Sequence, residues 1–349
     1  MYYNSKKIKI EQRVISSNHK PLIIPELGIN HNGSLSTAFK IVDAAKRAGA
    51  EIIKHQTHIP YDEMSFEAKF IKPGNSKKNI FDIISNSSLN EEDEYKLYKY
   101  VKRKKMIFLS TPFGRAAVDR LVKFGVSAFK IGSGELNNFP LLDYICKFKK
   151  PLIVSTGMQS ISGVKKTVRF LEKRTKNFAL MHTTNLYPTP DNLIRLDSIT
   201  QLKKYFPNTI IGLSDHTSNN ISSLGAIALG ALIIEKHFVD KKKRKGPDIQ
   251  ASIDESELKE LIKNSEIMYV QKQGLKNYLK EEQVTRNFAF ASVVSIKDIR
   301  KGEKLSSKNI WVKRPGTGYF KAIDYKKLIG KKATKNIIRN VQIRKNDIK

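Results

Sequence analysis

Eight short apolar segments, rich in β-branched residues, recur along the first two thirds of the chain and alternate with stretches of helical periodicity. Strands that are apolar on both faces and alternate with helices are typical of a parallel sheet covered by helices. Eight such units within about 250 residues predict a closed (β/α)8 barrel, the TIM-barrel fold. An open doubly wound sheet is the alternative, but no G-x-G-x-x-G motif follows the first segment. The predicted strands are Leu22–Glu26, Glu51–Gln56, Met106–Thr111, Ala128–Ser133, Pro151–Thr156, Phe178–Asn185, Thr209–His216 and Ala231–His237.

The character of the sequence changes after residue 273. Residues 274–287 are polar and charged and are interpreted as a linker. Residues 288–349 contain short strand-like runs, beginning with FAFASVVS, that are separated by turns. The sequence therefore predicts an α/β barrel over residues 1–273 and a small β-rich domain over residues 288–349. Because a domain of about 60 residues has a thin core, we expect it to dock on another surface.

Several residues mark helix boundaries within the barrel. Ser34 is a typical N-cap and Gly49 a typical C-terminal stop for the helix between them. Asn90 precedes an acidic turn, which predicts another helix start. Residues 58–89 are predicted to form a long loop, whose Pro73-Gly74-Asn75 turn is a candidate lid or substrate contact.

The chain of 349 residues carries a formal net charge of +31 and one cysteine, Cys146. One cysteine excludes an intrachain disulfide framework and fits a reducing cytoplasm, and we find neither a signal peptide nor an apolar run of membrane-spanning length. The basic residues are spread over the chain, mostly on expected helix faces, so we interpret them as a lysine-rich surface. A polyanion-binding protein is the alternative, with the KKKRK run at residues 241–245 as its main support.

Nearly every predicted strand ends in polar side chains, and in TIM barrels the C-terminal strand ends carry the active site. Two lysines accompanied by hydroxyls and an amide suit a phosphate and a carboxylate. The Gly132-Ser133-Gly134 turn also allows backbone N–H groups to approach an anion. An ion pair with Glu26 or Glu135 is an equally good interpretation of either lysine taken alone. The predicted anion-binding residues are Lys54, Thr111, Lys130, Ser133, Ser155, Asn185 and Ser214.

His216 and His237 end the seventh and eighth predicted strands. Two imidazoles on neighbouring strand ends can hold a divalent transition metal and leave positions open for water or substrate. The other histidines lack such pairing in the sequence and are predicted to be structural or to support the residues that contact ligands: His19, His31, His55, His58 and His182.

The motifs at the strand ends resemble those of the bacterial N-acetylneuraminate (sialic acid) synthases. They are PELGINHNGS (25–34), KHQTH (54–58), STPF (110–113), FKIGSGE (129–135), STGM (155–158), TTNLYPTP (183–190), GLSDHT (212–217), EKHF (235–238) and GPD (246–248). Near the C-terminus, FAFASVV (288–294) and IWVKRPG (310–316) resemble the antifreeze-like (SAF) domain of that family, which has a β-clip fold. The resemblance covers nearly the whole chain.

The resemblance implies that phosphoenolpyruvate, N-acetylmannosamine and water are converted to N-acetylneuraminate and phosphate, with Mn²⁺, Mg²⁺ or Co²⁺ as cofactor. It implies a cytoplasmic homodimer in which the small domain covers the partner's barrel mouth, without nucleic acid or membrane as a partner. The predicted anion-binding residues would hold phosphoenolpyruvate, and His216 and His237 would hold the metal. Lys54, Lys130, Glu26 and Glu135 are the expected catalytic residues, with the two carboxylates handling protons. The implied sugar contacts are Gln56, Asn75, Glu135, Tyr187, Asp248, Phe288 and, from the neighbouring subunit, Arg314.

Three alternatives remain at the level of sequence. The first is the same chemistry on the sugar precursors of legionaminic or pseudaminic acid. The second is a Schiff-base aldolase with Lys54 or Lys130 as nucleophile, which predicts no metal dependence. The third is a nucleic-acid-binding protein, which predicts steeply salt-dependent binding.

Overall fold

The computed structural model describes residues 6–73 and 77–349, and it divides the chain into a unit that ends at Gln273 and a second unit from Gly274 to Lys349. The first unit begins with an antiparallel hairpin of β1 (Ile8–Ile10) and β2 (Arg13–Ile15). Eight parallel strands then close into a barrel in chain order, with the last strand pairing with the first, as predicted. They are β3 (Leu22–Gly28), β4 (Ile52–Thr57), β5 (Ile107–Pro112), β6 (Phe129–Ile131), β7 (Leu152–Ser155), β8 (Phe178–Thr183), β9 (Ile210–Asp215) and β10 (Ile233–His237).

Helices connect the strands around the outside of the barrel. Ser34 caps the first of them, accepting a hydrogen bond from the Thr37 N–H, and Asn90 caps another in the same way, as predicted. The segment expected to be a long loop over residues 58–89 contains two short α-helices and a 3-10 helix, so its prediction as a loop was wrong in part. The helices are α1 (Leu35–Arg47), α2 (Pro60–Glu63), α3 (Ile80–Ser87), α4 (Glu91–Arg103), α5 (Arg115–Phe124), α6 (Phe139–Cys146), α7 (Ile161–Glu172), α8 (Asp197–Tyr205), α9 (Ile221–Ala228) and α10 (Glu255–Gln271).

The barrel interior is apolar at its N-terminal end, and the hairpin of β1 and β2 closes that end. Ile8, Ile10 and Ile15 form one buried cluster with inward-facing residues of the strands, among them Ile24 and Ile153. Alternate residues of a strand point to opposite faces, so the remaining apolar strand residues pack against the helices in a second, larger cluster. This division leaves the C-terminal end of the barrel for polar side chains.

We expect that replacing Ile10 with alanine lowers the free energy of unfolding by about 2–5 kcal/mol, because the fully buried side chain would leave a cavity under the barrel. Urea denaturation measures the change. Ile221→Ala is the matched control, since Ile221 is 76% exposed and its loss should change stability by less than about 0.5 kcal/mol. Equal effects of the two substitutions would contradict a structural role for the hairpin.

The second unit contains α11 (Gln283–Ala289), an antiparallel pair of β11 (Ser292–Ser295) and β12 (Ile310–Lys313), and α12 (Tyr325–Leu328). Its small core includes Val293, Ile310 and Ile343. Helix α11 extends through Phe288, so the strand begins later than the apolar run FAFASVVS suggested. Short apolar runs fit a helix or a strand equally well, which explains the error.

Within the described residues, no helix combines the length and apolar character that crossing a bilayer requires.

Candidate active site

The strand register brings polar side chains together at the C-terminal mouth of the barrel. Glu26 of β3 pairs with Lys54 of β4, and Glu235 of β10 pairs with Ser214 of β9. Lys130 enters from β6 on another side of the barrel. All five of these side chains are buried. The mouth of the barrel is therefore a buried, charged site.

Two lysines and two carboxylates form the centre of this site. The Lys54 ammonium lies 2.7 Å from Glu26 Oε1 and 3.2 Å from Glu235 Oε1. The Lys130 ammonium lies 3.0 Å from the same Glu235 oxygen and donates to Ser155 Oγ at 2.8 Å. Ser214 donates to Glu235 Oε1 as well, at 3.0 Å. One carboxylate oxygen of Glu235 thus holds both lysines in place.

The electrostatics of the cluster keep Glu26 and Lys54 as a charged pair, whereas Lys130 loses its proton more readily than an ordinary lysine. Burial alone would raise the pKa of Glu26, but the charges of Lys54, His237 and Lys130 outweigh it and hold that pKa well below its ordinary value. Burial alone would lower the pKa of Lys54, but Glu235 and Glu26 raise it above the usual value. Burial lowers the pKa of Lys130, and the neighbouring charge of Lys54 lowers it further, against the opposing charge of Glu235. An arriving anion would add negative charge beside Lys130, which shares the Glu235 oxygen with Lys54.

Hydroxyl and amide groups surround the lysines and leave polar atoms without partners. Thr111 Oγ1, Asn185 Oδ1 and Glu235 Oε2 are buried and have no hydrogen-bond partner within the described residues. Ser133 accepts from the Gly157 N–H at 3.1 Å, and a Cβ atom at Gly157 would collide with Asn185 Oδ1 and crowd Ser133 Oγ, so any larger residue would displace these side chains. Buried polar atoms are rarely left unsatisfied, so these atoms indicate a ligand site.

His216 and His237 lie side by side at the ends of β9 and β10, with ring centroids 5.4 Å apart. The His216 Nδ1–H donates to the Thr184 carbonyl at 2.8 Å, which leaves the lone pair on Nε2. Burial and the neighbouring His237 lower the pKa of His216 to about 3, so its ring is neutral, the form that binds metals. His237 Nδ1 is buried without a hydrogen-bond partner, while its Nε2 lies 3.7 Å from Glu26 Oε2.

These two imidazoles fit a divalent metal with open coordination positions. No set of three or more histidine, cysteine, aspartate or glutamate side chains is arranged as a complete metal centre in the part of the chain that the structure describes. The two histidines are adjacent, their role as metal ligands stays a prediction, and any further ligand would come from water or substrate.

A cavity of about 630 Å³ opens next to the histidine pair. Its polar lining consists of Gln56, His58, Asn185, Tyr187, His237 and Asp248. The Tyr187 ring stacks on His216 with centroids 4.2 Å apart, and Asp248 Oδ2 lies 3.9 Å from His237 Nδ1. The rest of the wall is apolar and includes Ile29, Ile80, Ile83, Ile84, Phe113, Leu186 and Pro188.

Glu135 lies in a short 3-10 helix after β6. It accepts a hydrogen bond from Asn138 Nδ2 at 2.6 Å. Burial raises its pKa, the Asn138 bond lowers it, and the charge of Glu63 raises it again, with a net increase. Of the two carboxylates considered as ion-pair partners for the lysines, Glu26 pairs with Lys54, whereas Glu135 pairs with neither Lys54 nor Lys130 among the described residues.

The remaining predicted residues lie elsewhere. Asn75 is outside the described residues. Phe288 and Arg314 belong to the second unit, where both are exposed, and their roles as sugar contacts stay predictions. His31 and His55 are buried together, and His182 contacts the Ile194 carbonyl, in keeping with structural roles.

Two contributors were missed by the sequence reasoning. Glu235 was seen only as part of a polar strand end, although the two-residue period that brings His237 inward also brings Glu235 inward. The outward-facing Lys236 pairs instead with Asp215 at 3.1 Å. His58, for which a structural or supporting role was predicted, lines the cavity. No sequence signal distinguishes it from the other histidines.

Comparisons with known proteins agree with this geometry. Residues 41–276 match the NeuB family, and residues 290–349 match the SAF domain. The chain is 38% identical to the N,N'-diacetyllegionaminic acid synthase of Campylobacter jejuni over 91% of this chain and 97% of that protein. It is 31% identical to the N-acetylneuraminate-9-phosphate synthase of Drosophila melanogaster, over 93% and 95% of the two chains. The crystal structure of the N-acetylneuraminic acid synthetase of Leptospira borgpetersenii matches with a TM-score of 0.74 and 26% identity, covering 82% of this chain and 96% of that one.

Proposed function

Because the chain belongs to the NeuB family, we propose that it joins phosphoenolpyruvate to the open-chain aldehyde of an N-acetylated amino sugar, giving a nine-carbon sugar acid and inorganic phosphate. The main support for this proposal is the pair of buried lysines at the barrel mouth. Hydroxyl groups surround them, together with polar atoms that have no hydrogen-bond partner among the described residues. A phosphate and a carboxylate are the groups that satisfy such an arrangement.

Different residues of the site bind phosphoenolpyruvate, stabilise charge and transfer protons in the proposed reaction. Lys54 and Lys130, with Ser133, Ser155, Thr111, Asn185 and Ser214, hold phosphoenolpyruvate. Carbon C3 of phosphoenolpyruvate forms a bond to the aldehyde carbon of the sugar, and the positive charge that develops at C2 is stabilised by the carboxylates nearby. Water then adds at C2, and phosphate leaves by cleavage of the C–O bond. Glu26 lies beside His237. Glu135 has a raised pKa and is suited to move a proton at the sugar oxygen or the added water.

A divalent ion, for which we propose Mn²⁺, would be held by His216 and His237. When bound it would polarise the aldehyde oxygen of the sugar. The Thr184 carbonyl orients the His216 ring, and burial together with His237 lowers its pKa to about 3 and keeps the ring neutral.

The sugar we favour is a 2,4-diacetamido-2,4,6-trideoxyhexose, the type of precursor that yields legionaminic acid. The cavity beside the histidine pair is mostly apolar, which suits a C6 methyl group and a second acetamido group better than free hydroxyls. The 38% identity to the legionaminic acid synthase supports the same choice. N-acetylmannosamine, the first expectation from the sequence motifs, is the second candidate and is supported by the similarity to the Leptospira synthetase.

The test is phosphate release from phosphoenolpyruvate with a panel of sugars, with and without a chelator. We expect turnover with the diacetamido trideoxy sugars, a kcat/KM at least 10-fold lower with N-acetylmannosamine, and loss of activity on chelation that Mn²⁺ restores. The reverse order of sugars would identify a sialic acid synthase. Borohydride trapping of a pyruvate adduct on a lysine, with no effect of the chelator, would refute the proposal in favour of an aldolase.

We also propose that the protein works as a cytoplasmic homodimer in which Arg314 reaches the partner's sugar site. A barrel cut after residue 280 should then lose most activity. Mixing full-length chains that carry either Lys130→Met or Arg314→Ala should restore part of it, because a mixed dimer contains one intact site. No recovery in the mixture would contradict a contribution from the partner subunit.

A further inference from the structure

One chain of hydrogen bonds crosses the wall of the sugar cavity without a part in the proposed reaction. It begins at Glu63, the last residue of α2, whose carboxylate lies 2.9 Å and 3.1 Å from His58 Nδ1. The other ring nitrogen of His58, Nε2, lies 3.1 Å from Gln56 Oε1. Gln56 Nε2 in turn donates to Glu26 Oε1 at 2.7 Å. The chain therefore connects the segment after β4 with the carboxylate beside the metal histidines.

The direction of the bonds in this chain follows from the position of Glu26. Its Oε1 accepts from the Lys54 ammonium and from the –NH2 group of Gln56. The Gln56 carbonyl therefore faces His58, and His58 Nε2 donates to it. The Glu63 carboxylate lies at the other ring nitrogen, Nδ1, so both nitrogens of His58 have a partner.

The surroundings fix His58 in this position. Its ring stacks on Phe113 with centroids 4.2 Å apart and planes 10° apart, and both residues line the sugar cavity. Asp62, next to Glu63, accepts from the Ala116 N–H at 2.9 Å and so attaches α2 to the start of α5. The side chains of His58 and Glu63 are only 4% and 6% exposed, so water does not compete for their hydrogen bonds.

We infer that Glu63 and His58 are positioning residues that preset the Gln56 amide for the sugar, while Lys54 keeps both Glu26 and Glu235 as ion-pair partners. This inference rests on the proposed function, in which Gln56 contacts the sugar. Without His58 the amide can rotate, and Glu26 loses a fixed donor at the same time. The charge of Glu63 also acts on Glu135, whose pKa it raises in addition to the effect of burial.

The test compares three substitutions by steady-state kinetics with each substrate varied. His58→Phe keeps the stacking on Phe113 and removes both ring nitrogens, and Glu63→Gln replaces the carboxylate beside Nδ1 with a neutral amide. Both should raise KM for the sugar by about 10-fold or more, the usual effect of losing a charge-assisted hydrogen bond, and leave KM for phosphoenolpyruvate within about twofold. His58→Gln restores an amide donor towards Gln56 and should recover most of the sugar KM. His19→Phe is the matched control, because His19 is exposed and its ring hydrogen-bonds to Ser16, and it should change neither KM.

A second measurement does not depend on turnover. In the substrate-free protein labelled with ¹⁵N-histidine, the resonances missing from His58→Gln identify His58, and its Nε2 should have the shift of a ring nitrogen that carries a hydrogen. An unchanged sugar KM in His58→Phe, an equal rise in both KM values, or a His58 Nε2 without a hydrogen in the wild-type protein would overturn the inference. Failure of the wild-type protein to use any sugar of the panel would refute the proposed function instead. In that case the ¹⁵N shifts of His58 would still show whether the chain of hydrogen bonds exists.

Discussion

Replacing Glu235 with alanine is expected to lower the free energy of unfolding of the ligand-free protein by about 3–5 kcal/mol, because it removes one partner from a buried ion-pair cluster. Glu235 Oε1 contacts both barrel lysines and Ser214. Lys54 would keep Glu26 as a partner, but Lys130 would keep only the Ser155 hydroxyl. The substitution therefore leaves a buried lysine without countercharge.

The same geometry predicts that an anion compensates for the missing carboxylate. Phosphoenolpyruvate should raise the melting temperature of Glu235→Ala more than that of the wild-type protein, since only the variant lacks a countercharge for Lys130. Thermal unfolding with increasing phosphoenolpyruvate measures both effects.

Glu92→Ala provides the comparison for this experiment. Glu92 forms an exposed ion pair with Lys96 on α4, and its loss should change stability by less than about 1 kcal/mol. Equal destabilisation by the two substitutions, or an equal shift with phosphoenolpyruvate in variant and wild type, would argue against the role assigned to Glu235.

Sequence reasoning could predict the barrel and much of its mouth because both follow from repetition. Each strand is an apolar run that ends in polar residues, and parallel strands bring their C-terminal ends to one edge. Lys130 and Ser155 are 25 residues apart in the chain, yet their side chains are hydrogen-bonded because β6 and β7 are neighbours. Strand order alone was enough to place them together.

The parts that were missed depend on contacts that no periodic pattern encodes. The hairpin of β1 and β2 consists of two strands of three residues each, too short for alternation to be recognised. Glu63 meets His58 only because α2 folds back after β4, within a segment that was predicted to be a loop. Glu235 is the exception, because the two-residue period that turns His237 inward also turns Glu235 inward.

Glu135→Gln is expected to lower kcat by about 10²–10⁴-fold, the usual contribution of a positioned general acid or base. The amide keeps the size of the side chain and its contact with Asn138 but cannot release a proton. Phosphoenolpyruvate binding, measured by calorimetry, should stay within about twofold of wild type, because Glu135 has no contact with Lys54 or Lys130 among the described residues. A variant that turns over at nearly the wild-type rate with both substrates bound would exclude Glu135 from proton transfer.

The pH dependence offers an independent check on the same residue. Burial and the charge of Glu63 raise the pKa of Glu135, so the folded enzyme keeps its proton to a higher pH than a free glutamate does. If protonated Glu135 is the acid, kcat falls as the pH rises through that raised pKa. Asn138→Ser should move this decline to higher pH, because the amide donor that lowers the pKa is lost while a serine still caps α6. A decline that stays at the same pH in Asn138→Ser would assign it to another group.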